Sequence, residues 1–383
     1  MDRIENLIVE GFQSLMDERY QGAIEAFNKV IILDPNNLEP RRGLLIVYND
    51  TERYEEAIEA ADYLLAKDPD DLQSIFYKAN ALCGLESFSE SLKLLNLVIQ
   101  REPTHTDALH ARSLVKLKQN DLDGALDDIN LCISEGNKNE YTLMQRGAVL
   151  LSLQKYKEAL SDFDKALDIN KNLALAKFNR GVTLRMLGDN KKAIKDVDQS
   201  FEEEEIDSEV LHQRSIILKN LNRDTEALND LNKAIEMDQN NVEAYYSRGI
   251  LQSKLGNHQE ALSNLKKAER LNEEYFQDYL LNGYSEVYRK MGNFGLAIEY
   301  ANKALESNPK FFWANATLAE IHSDMGDDQQ FHHFLKQAFE GGFQLQHIED
   351  SIKEKYKSDK EFISLLKSQN NGIWVRIKKM LGF

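Results

Sequence analysis

The chain has 383 residues, of which 42% are hydrophobic and 29% charged, and its formal net charge is -17 at pH 7. This acidic balance argues against sequence-independent binding to DNA or RNA, which depends on Lys and Arg that neutralise phosphates. It favours basic or apolar partners instead. With only 5 prolines and 19 glycines spread along the chain, no long Pro/Gly linker between domains is available.

No segment has the pattern of an export signal or of a membrane span. Residues 1–12 carry acids and no basic stretch ahead of an apolar run, so they do not resemble a signal peptide. No stretch approaches the roughly 18 consecutive apolar residues that a membrane-spanning helix needs. Cys83 and Cys132 are isolated and suit buried positions in a reducing compartment. We therefore expect a cytoplasmic protein.

Taken in chain order, the predicted elements repeat every 34 residues. Pro35, Pro69 and Pro103 are each 34 residues apart. Internal similarity at such a period is the signature of stacked structural repeats. A small residue recurs on the same lattice, at Ala23, Ala57, Ser91, Ala125, Ala159, Ala193, Ala227 and Ala261.

Each repeat predicts two helices that cross where the small residues lie, and the proline ends the second helix. Two extra residues around 272–277 shift every later repeat, and in the tenth repeat Phe331 stands where the small residue is expected. The repeats, about ten in number by the repeat-reading rule, begin near Ile4, Leu38, Leu72, Thr106, Glu140, Ala174, Ser208, Val242, Asp278 and Phe312.

The spacing and the residues at the fixed positions resemble the tetratricopeptide repeat family over almost the whole chain. The first repeat carries this pattern at Leu7, Gly11, Ala23, Phe27, Val30 and Pro35. The resemblance implies an all-α fold, a right-handed α-α superhelix of antiparallel helix pairs. It also implies that the first helix of each pair lines a concave groove in which ligands lie. We predict a tandem solenoid over residues 1–345, capping helices over 346–368 and a basic amphipathic helix over 373–383.

Five arginines recur at one position of consecutive repeats, and an acid or amide recurs on the partner helix. Because repeats without the arginine also lack the acid, we predict pairs that join the two helices of each repeat. The alternative interpretation is a track for phosphate or carboxylate ligands. The arginines are Arg112, Arg146, Arg180, Arg214 and Arg248, and the partners are Asp128, Asp162, Asp196, Asp230 and Asn264.

The candidate binding site is the face of the first helices formed by repeat positions two, five, six and nine. In the middle repeats these positions are unusually apolar and aromatic, with amides between them. Two interpretations stay open: the side chains pack between neighbouring first helices, or they form a floor for an extended peptide or an amphipathic helix. The candidates are Phe76, Tyr77, Asn80, His110, Tyr141, Met144, Gln145, Phe178, Asn179, Val182, His212, Gln213, Tyr246 and Ile250.

No catalytic, metal or cofactor site is predicted. The eight histidines show no metal-ligand spacing such as HExxH, and no phosphate loop, nucleophile elbow or dinucleotide fingerprint occurs. Nearly every residue is already assigned to a repeat or to its cap. We therefore expect a non-catalytic protein that binds a protein or peptide partner.

The tail after the polar stretch 368–372 is basic and amphipathic. Trp374, Ile377 and Leu381 share one helical face, whereas Arg376, Lys378 and Lys379 lie off it. Such a helix folds back onto the solenoid or docks on an anionic membrane or a partner. The leading hypothesis is a scaffold that binds a protein segment in its groove. The alternative is a peripheral membrane subunit held by this tail.

Overall fold

A computed structural model describes residues 3–201, 207–271, 277–343 and 348–368, and these residues form α-helices joined by short turns. The contacts divide the chain into two compact units, residues 1–204 and 205–383. The first unit contains α1 (Arg3–Met16), α2 (Tyr20–Leu33), α3 (Glu39–Asp50), α4 (Tyr54–Leu65), α5 (Leu72–Gly84), α6 (Phe88–Arg101), α7 (Thr106–Lys118), α8 (Leu122–Ser134), α9 (Glu140–Ser152), α10 (Tyr156–Ile169), α11 (Ala174–Met186) and α12 (Asn190–Ser200). The second contains α13 (Ser208–Asn220), α14 (Asp224–Met237), α15 (Val242–Lys254), α16 (His258–Leu271), α17 (Gln277–Lys290), α18 (Phe294–Ser307), α19 (Phe312–Met325), α20 (Asp328–Glu340), α21 (Asp350–Lys355) and α22 (Lys360–Ser368).

Consecutive helices pair from α1–α2 to α19–α20, so the predicted all-α array of helix pairs is confirmed. Within each unit every pair packs on the next one, which buries the apolar face that one pair alone would expose. The domain boundaries at 345/346 and 368/373 remain predictions, because residues 344–347 and 369–383 lie outside the described part.

The two helices of a pair cross at the small residues that define the period. A Cβ added to Gly147 would lie 2.7 Å from the ring of Phe163, which is fully buried, so only glycine lets this ring lie against α9. At the one break in the alanine series, the Ser91 hydroxyl donates to the carbonyl oxygen of Ala79 at 2.7 Å. The substitution thus keeps the close approach and adds a bond between α5 and α6.

The turn inside each pair places one residue in the left-handed region, at the same repeat position throughout. Gly188 has φ 85° and Gly256 also has φ 85°. The next such residue is Gly292, 36 residues after Gly256, which confirms the predicted shift of two residues. In other repeats the position is held by the non-glycine residues Glu18, Glu52, Glu86, Asn120, Gln154 and Asn222, with φ between 56° and 62°.

The arginine pairs are formed as predicted. Arg146 donates from Nε and Nη2 to the two carboxylate oxygens of Asp162, at 2.7 and 2.9 Å. The same two-point contact recurs at Arg112, Arg180 and Arg214 with their own aspartates. The carboxylate of Asp162 is almost fully buried, so its charge depends on this pairing. The interpretation of the arginines as a ligand track is therefore wrong.

Four of the arginines, Arg112, Arg146, Arg180 and Arg248, also reach the preceding helix pair, a contact that was not predicted from the sequence. Arg146 Nη1 donates to Asn130 of α8 at 3.2 Å, and Arg180 Nη1 donates to Asp164 of α10 at 2.9 Å. One guanidinium group therefore joins three helices and fixes both the pair and its junction. Hydrogen bonds to these carboxylates raise the pKa of Arg146 and of Arg180.

The end of the second unit is closed by α21 and α22. Phe331, the large residue at the small position, is buried and stacks on Tyr356 with ring centroids 4.0 Å apart. Phe362 and Leu366 of α22 complete the same buried cluster. The aromatic side chains of Phe331, Tyr356 and Phe362 thus fill the space that the next first helix occupies in earlier repeats.

Candidate functional site

Neighbouring first helices lie side by side in each unit. Contacts between them, as between α3 and α5 or between α15 and α17, are more extensive than those between neighbouring second helices. The row of first helices is therefore the inner side of the curve of each unit. We call the surface formed by repeat positions two, five, six and nine of these helices the inner face.

In the first unit, the candidate residues lie on α5, α7, α9 and α11, as the sequence predicted. Tyr141 is the most exposed, with 52% of its surface accessible, and Leu175 at the equivalent position of α11 is 46% exposed. Gln145 is buried. The half-buried candidates of this unit are Phe76, Tyr77, Asn80, His110, Met144, Phe178, Asn179 and Val182.

Some of these side chains hold neighbouring first helices together. Gln145 Nε2 donates to the carbonyl oxygen of His110 on α7 at 3.1 Å. Phe76 contacts the ring of Tyr77 at 5.3 Å and that of His105 at 5.4 Å between centroids. Burial lowers the pKa of His110 and raises the pKa of Tyr77. The inner face of this unit is thus partly internal packing and partly exposed aromatic surface.

In the second unit, His212 and Gln213 lie on α13, and Tyr246 and Ile250 lie on α15. His212 is buried, and its Nε2 lies 2.9 Å from the Ser247 hydroxyl of the neighbouring first helix. Tyr246 is half-buried with its ring against Gly283 of α17, and burial raises its pKa well above the ordinary value. In this unit too, a polar candidate, His212, makes a contact inside the protein.

Beyond Ile250, the inner face of the second unit continues into a cavity of about 590 Å³ that we call the end pocket. First helices α15, α17 and α19 form its floor. Its wall includes Trp313 and Phe343, whose rings are 5.4 Å apart between centroids and nearly perpendicular. The segment at 349–351, at the start of α21, forms its far rim. A partly enclosed cavity with an aromatic wall and converging charges is the usual form of a ligand site.

A buried arginine lies beneath the end pocket. Arg289 Nη1 is 2.8 Å from Asp324, and its Nη2 is 2.9 Å from Glu320 of α19 and 2.6 Å from Glu349. Lys290 also contacts Glu349, at 2.8 Å. Because Arg289 joins α17, α19 and the segment before α21, it fixes the floor and the rim of the pocket.

Arg289 contacts three carboxylates, which is more negative charge than one guanidinium group neutralises. Burial, together with repulsion from the carboxylates of Glu349 and Glu286, raises the pKa of Glu320 to about 8 despite its contact with Arg289. Burial also raises the pKa of Glu286, one turn before Arg289. The pKa of Glu349 is lowered, since Arg289 and Lys290 outweigh its loss of hydration. The pocket lining carries equal numbers of cationic and acidic side chains, namely Lys219, Lys254, Arg289 and Lys290 and Glu286, Glu320, Glu349 and Asp350.

The end pocket was not predicted from the sequence, although its residues stand at inner-face positions. Trp313 stands at repeat position two, and Glu286 and Glu320 stand at position nine, which are positions already assigned to the inner face. The candidates were taken only from the middle repeats. Arg289 was harder to recognise, because its partners lie 31, 35 and 60 residues further along the chain.

The predicted docking residues of the tail lie outside the described part of the chain. These are Trp374, Arg376, Ile377, Lys378, Lys379 and Leu381. Among the described helices, none has the length and apolar character needed to span a bilayer.

Sequence comparison identifies the repeats. A family model described as "Tetratricopeptide repeat" matches residues 14–79, and another with the same description matches 141–173, 242–275 and 279–311. A third, described as "TPR repeat", matches residues 217–256. The chain belongs to the tetratricopeptide repeat family, whose fold is a scaffold for protein–protein interaction. No curated protein sequence matches it significantly.

One solved structure supports the same fold, and another is similar over most of the chain at a lower score. A tetratricopeptide repeat protein from Parabacteroides merdae ATCC 43184 matches with a TM-score of 0.50 and 17% identity, over 65% of this chain and 98% of that one. Yeast Tom70 matches with a TM-score of 0.41 and 15% identity, over 98% of this chain and 96% of that one. At such low identity the likeness concerns the fold alone.

Proposed function

We propose that this protein is a non-catalytic, cytoplasmic scaffold that binds a segment of a partner protein along its inner face. The observation that carries the proposal is the exposure of Tyr141 and Leu175, two large apolar side chains at the same repeat position of neighbouring first helices. Exposed apolar residues that line up on one surface favour a protein-binding role.

The energetics favour a segment that spans several repeats. Burying one large apolar side chain contributes roughly 1.5–3 kcal/mol, whereas association costs about 4–15 kcal/mol. Two anchors such as Tyr141 and Leu175 together contribute about 3–6 kcal/mol, which reaches only the low end of this cost. Amides beside them, such as Asn179, suit the main-chain groups of an extended ligand.

The test is affinity capture from native lysate, with quantitative mass spectrometry, of the wild type and of a double variant, Tyr141→Ser with Leu175→Ser. Both side chains are exposed, so we expect the helices to stay folded. A partner bound through the inner face is captured by the wild type and lost, about tenfold or more, by the variant.

A matched control removes exposed apolar side chains from second helices. Leu131 of α8 is 41% exposed and Ile169 of α10 is 55% exposed. We expect the variant Leu131→Ser with Ile169→Ser to capture the same partner as the wild type. Loss of the partner in this control, with retention in the inner-face variant, would place the interface on the second helices and overturn the proposal.

A further inference from the structure

Several first helices begin with a side chain that caps the helix, and these caps stand at the same repeat position. In each of them the side chain accepts a hydrogen bond from a backbone N–H of the first turn, as Asp and Asn commonly do. The caps are Asp71 of α5, His105 of α7, Asn139 of α9, Asp207 of α13 and Asn241 of α15. Among these five, His105 alone is an imidazole, which gains a proton near neutral pH.

The bond that His105 makes requires an unprotonated nitrogen. The backbone N–H of Ala108 donates to His105 Nδ1 at 3.2 Å. A neutral imidazole has one nitrogen that accepts, whereas both nitrogens of an imidazolium donate. A positive ring is also repelled by the N-terminal end of the helix dipole. Protonation of Nδ1 and capping of α7 therefore exclude each other.

His105 also connects the cap to the inner face. Its ring is half-buried and lies 5.4 Å from the ring of Phe76 between centroids. Phe76, on α5, is one of the inner-face candidates, and its other ring contact is with Tyr77. The bond from Ala108 thus fixes a ring that supports Phe76 from the side of α7.

Two neighbours favour the positive ring. They are the carboxylate of Asp107 and the face of Phe76. Asp107 is exposed, so solvent screens its attraction. The N–H of Ala108, in contrast, is in direct contact with Nδ1. These neighbours change how readily the ring is protonated, but they do not restore an acceptor to Nδ1.

The other titratable and charged groups around this turn come from α5, α6, α7 and α8. They are Tyr77, Arg101, Glu102, His110 and Cys132. Burial raises the pKa of Tyr77, and it raises that of Cys132 to about 11, so neither gains charge in mild acid. Burial lowers the pKa of His110, so stability that depends on neutral His110 is also lost as pH falls. The experiment therefore separates the two histidines.

We propose that His105 is a pH-sensitive cap, whose protonation releases the first turn of α7 and weakens the support of Phe76 on the inner face. An ordinary imidazole takes up its proton at about pH 6.5. The cap is therefore formed at pH 7.5 and lost in most molecules at pH 5.5. The consequence for a bound partner rests on the proposed function, whereas the cap itself does not.

The test is hydrogen exchange of the full-length chain at pH 5.5 and 7.5, with fragmentation that resolves single amides. Protection is expressed relative to an unstructured peptide at the same pH. We expect the protection of the Ala108 amide to fall about fivefold at pH 5.5, the size expected for loss of an N-cap. The matched amides are Thr142 and Ala244, which donate to Asn139 and Asn241. Because asparagine keeps its acceptor, these two should change less than twofold.

Two variants identify the group responsible. His105→Asn restores the residue type that caps α9 and α15, so we expect the Ala108 amide to be protected equally at both pH values. His110→Gln removes the other histidine of α7 and should leave the fall at Ala108 in place.

Equal protection of Ala108 at the two pH values in the wild type would overturn the proposal. So would an undiminished fall in His105→Asn, or loss of the fall in His110→Gln. No partner is present in these measurements, so failure of the scaffold proposal would not alter them. Conversely, a cap that does not respond to pH would leave the scaffold proposal intact.

Discussion

Six residues with side chains adopt a backbone conformation that usually favours glycine. They occupy the turn inside the helix pairs, where Gln154 has φ 58° and Asn222 has φ 59°, while other repeats use glycine at the equivalent position, as in Gly188. For a residue with a Cβ, the left-handed conformation costs roughly 1–2 kcal/mol. The repeats therefore differ in how much strain their turns store.

Gly188→Ala should destabilise the pair α11–α12 by about 1 kcal/mol, since the left-handed cost exceeds the entropy gained by removing a glycine. A Cβ at this position would meet no heavy atom within 4 Å, so the effect isolates backbone conformation. Hydrogen exchange of α11 and α12 measures the change. Gly188→Asn should lose clearly less, because asparagine tolerates this conformation; an equal loss would contradict the explanation.

The fifth arginine pair contains an amide in place of a carboxylate. Arg248 Nε donates to Asn264 Oδ1 at 2.7 Å, and burial lowers the pKa of Arg248. Asn264→Asp should restore the charged pair and stabilise α15–α16 by about 1 kcal/mol, although the bond from Asn264 Nδ2 to the Glu260 carbonyl is lost. The readout is hydrogen exchange of these two helices.

The reverse change, Asp162→Asn, serves as the comparison. It should destabilise α9–α10 by about 1–2 kcal/mol, because Arg146 then loses its charged acceptor. If both substitutions shift stability in the same direction, the charge of the acceptor is not what stabilises these pairs.

Contacts could be predicted from the sequence where the same two residue types recur at fixed positions of successive repeats. Arg146 and Asp162 were predicted as a pair because the same two positions co-occur in successive repeats. The contact from Arg146 to Asn130 was missed, because its acceptor varies between Asn and Asp among the repeats. The sequence left open which inner-face candidates pack between neighbouring first helices, and the structure buries Gln145 and His212 there.

At the scale of helices, Arg289 of α17 forms the salt bridges that join this helix to α19 and to the segment before α21. Its position could not be inferred from periodicity, because Leu117 and Leu151 stand at the equivalent position of earlier repeats. The sequence predicted capping helices over 346–368 without their path, and in the structure Phe362 and Leu366 of α22 pack into the buried cluster at this end. The salt bridges around Arg289 required the structure.

The carboxylates of this cluster should make stability depend on pH. The pKa of Glu320 is raised in the folded state above its ordinary value of 4.5, so folding takes up a proton and stability falls as pH rises above that value. The pKa of Glu349 is lowered, so its contribution is lost only as pH falls below the ordinary range. The two windows do not overlap.

Glu320→Gln should therefore flatten the fall in stability above pH 4.5, leaving the part due to Glu286, whose pKa is also raised. The measurement is thermal unfolding of wild type and variant between pH 5 and pH 8. We expect the melting temperature of the variant, relative to wild type, to rise with pH. A constant difference across this range would show that Glu320 is ionised in both states. Asp350→Asn, on the exposed rim, should show no such trend.

At the scale of the whole molecule, the basic tail contrasts with an otherwise acidic chain. The membrane alternative predicts that the intact protein floats with vesicles containing phosphatidylserine, whereas a chain ending at Ser368 stays at the bottom of the gradient. Replacing Arg376, Lys378 and Lys379 with Gln should also reduce flotation. Equal flotation of the intact and shortened chains would contradict membrane docking through this tail.

Because Arg146 and Arg180 each contact the acid of their own repeat and the polar residue of the repeat before it, their two 34-residue segments each carry both halves of a junction. A second copy of residues 140–173 inserted after residue 173 would place its arginine against Asp164 and offer its own copy of Asp164 to Arg180. Neighbouring segments in this part of the chain are thus interchangeable at their borders. Tandem duplication can therefore lengthen such an array while every new border repeats contacts that already exist.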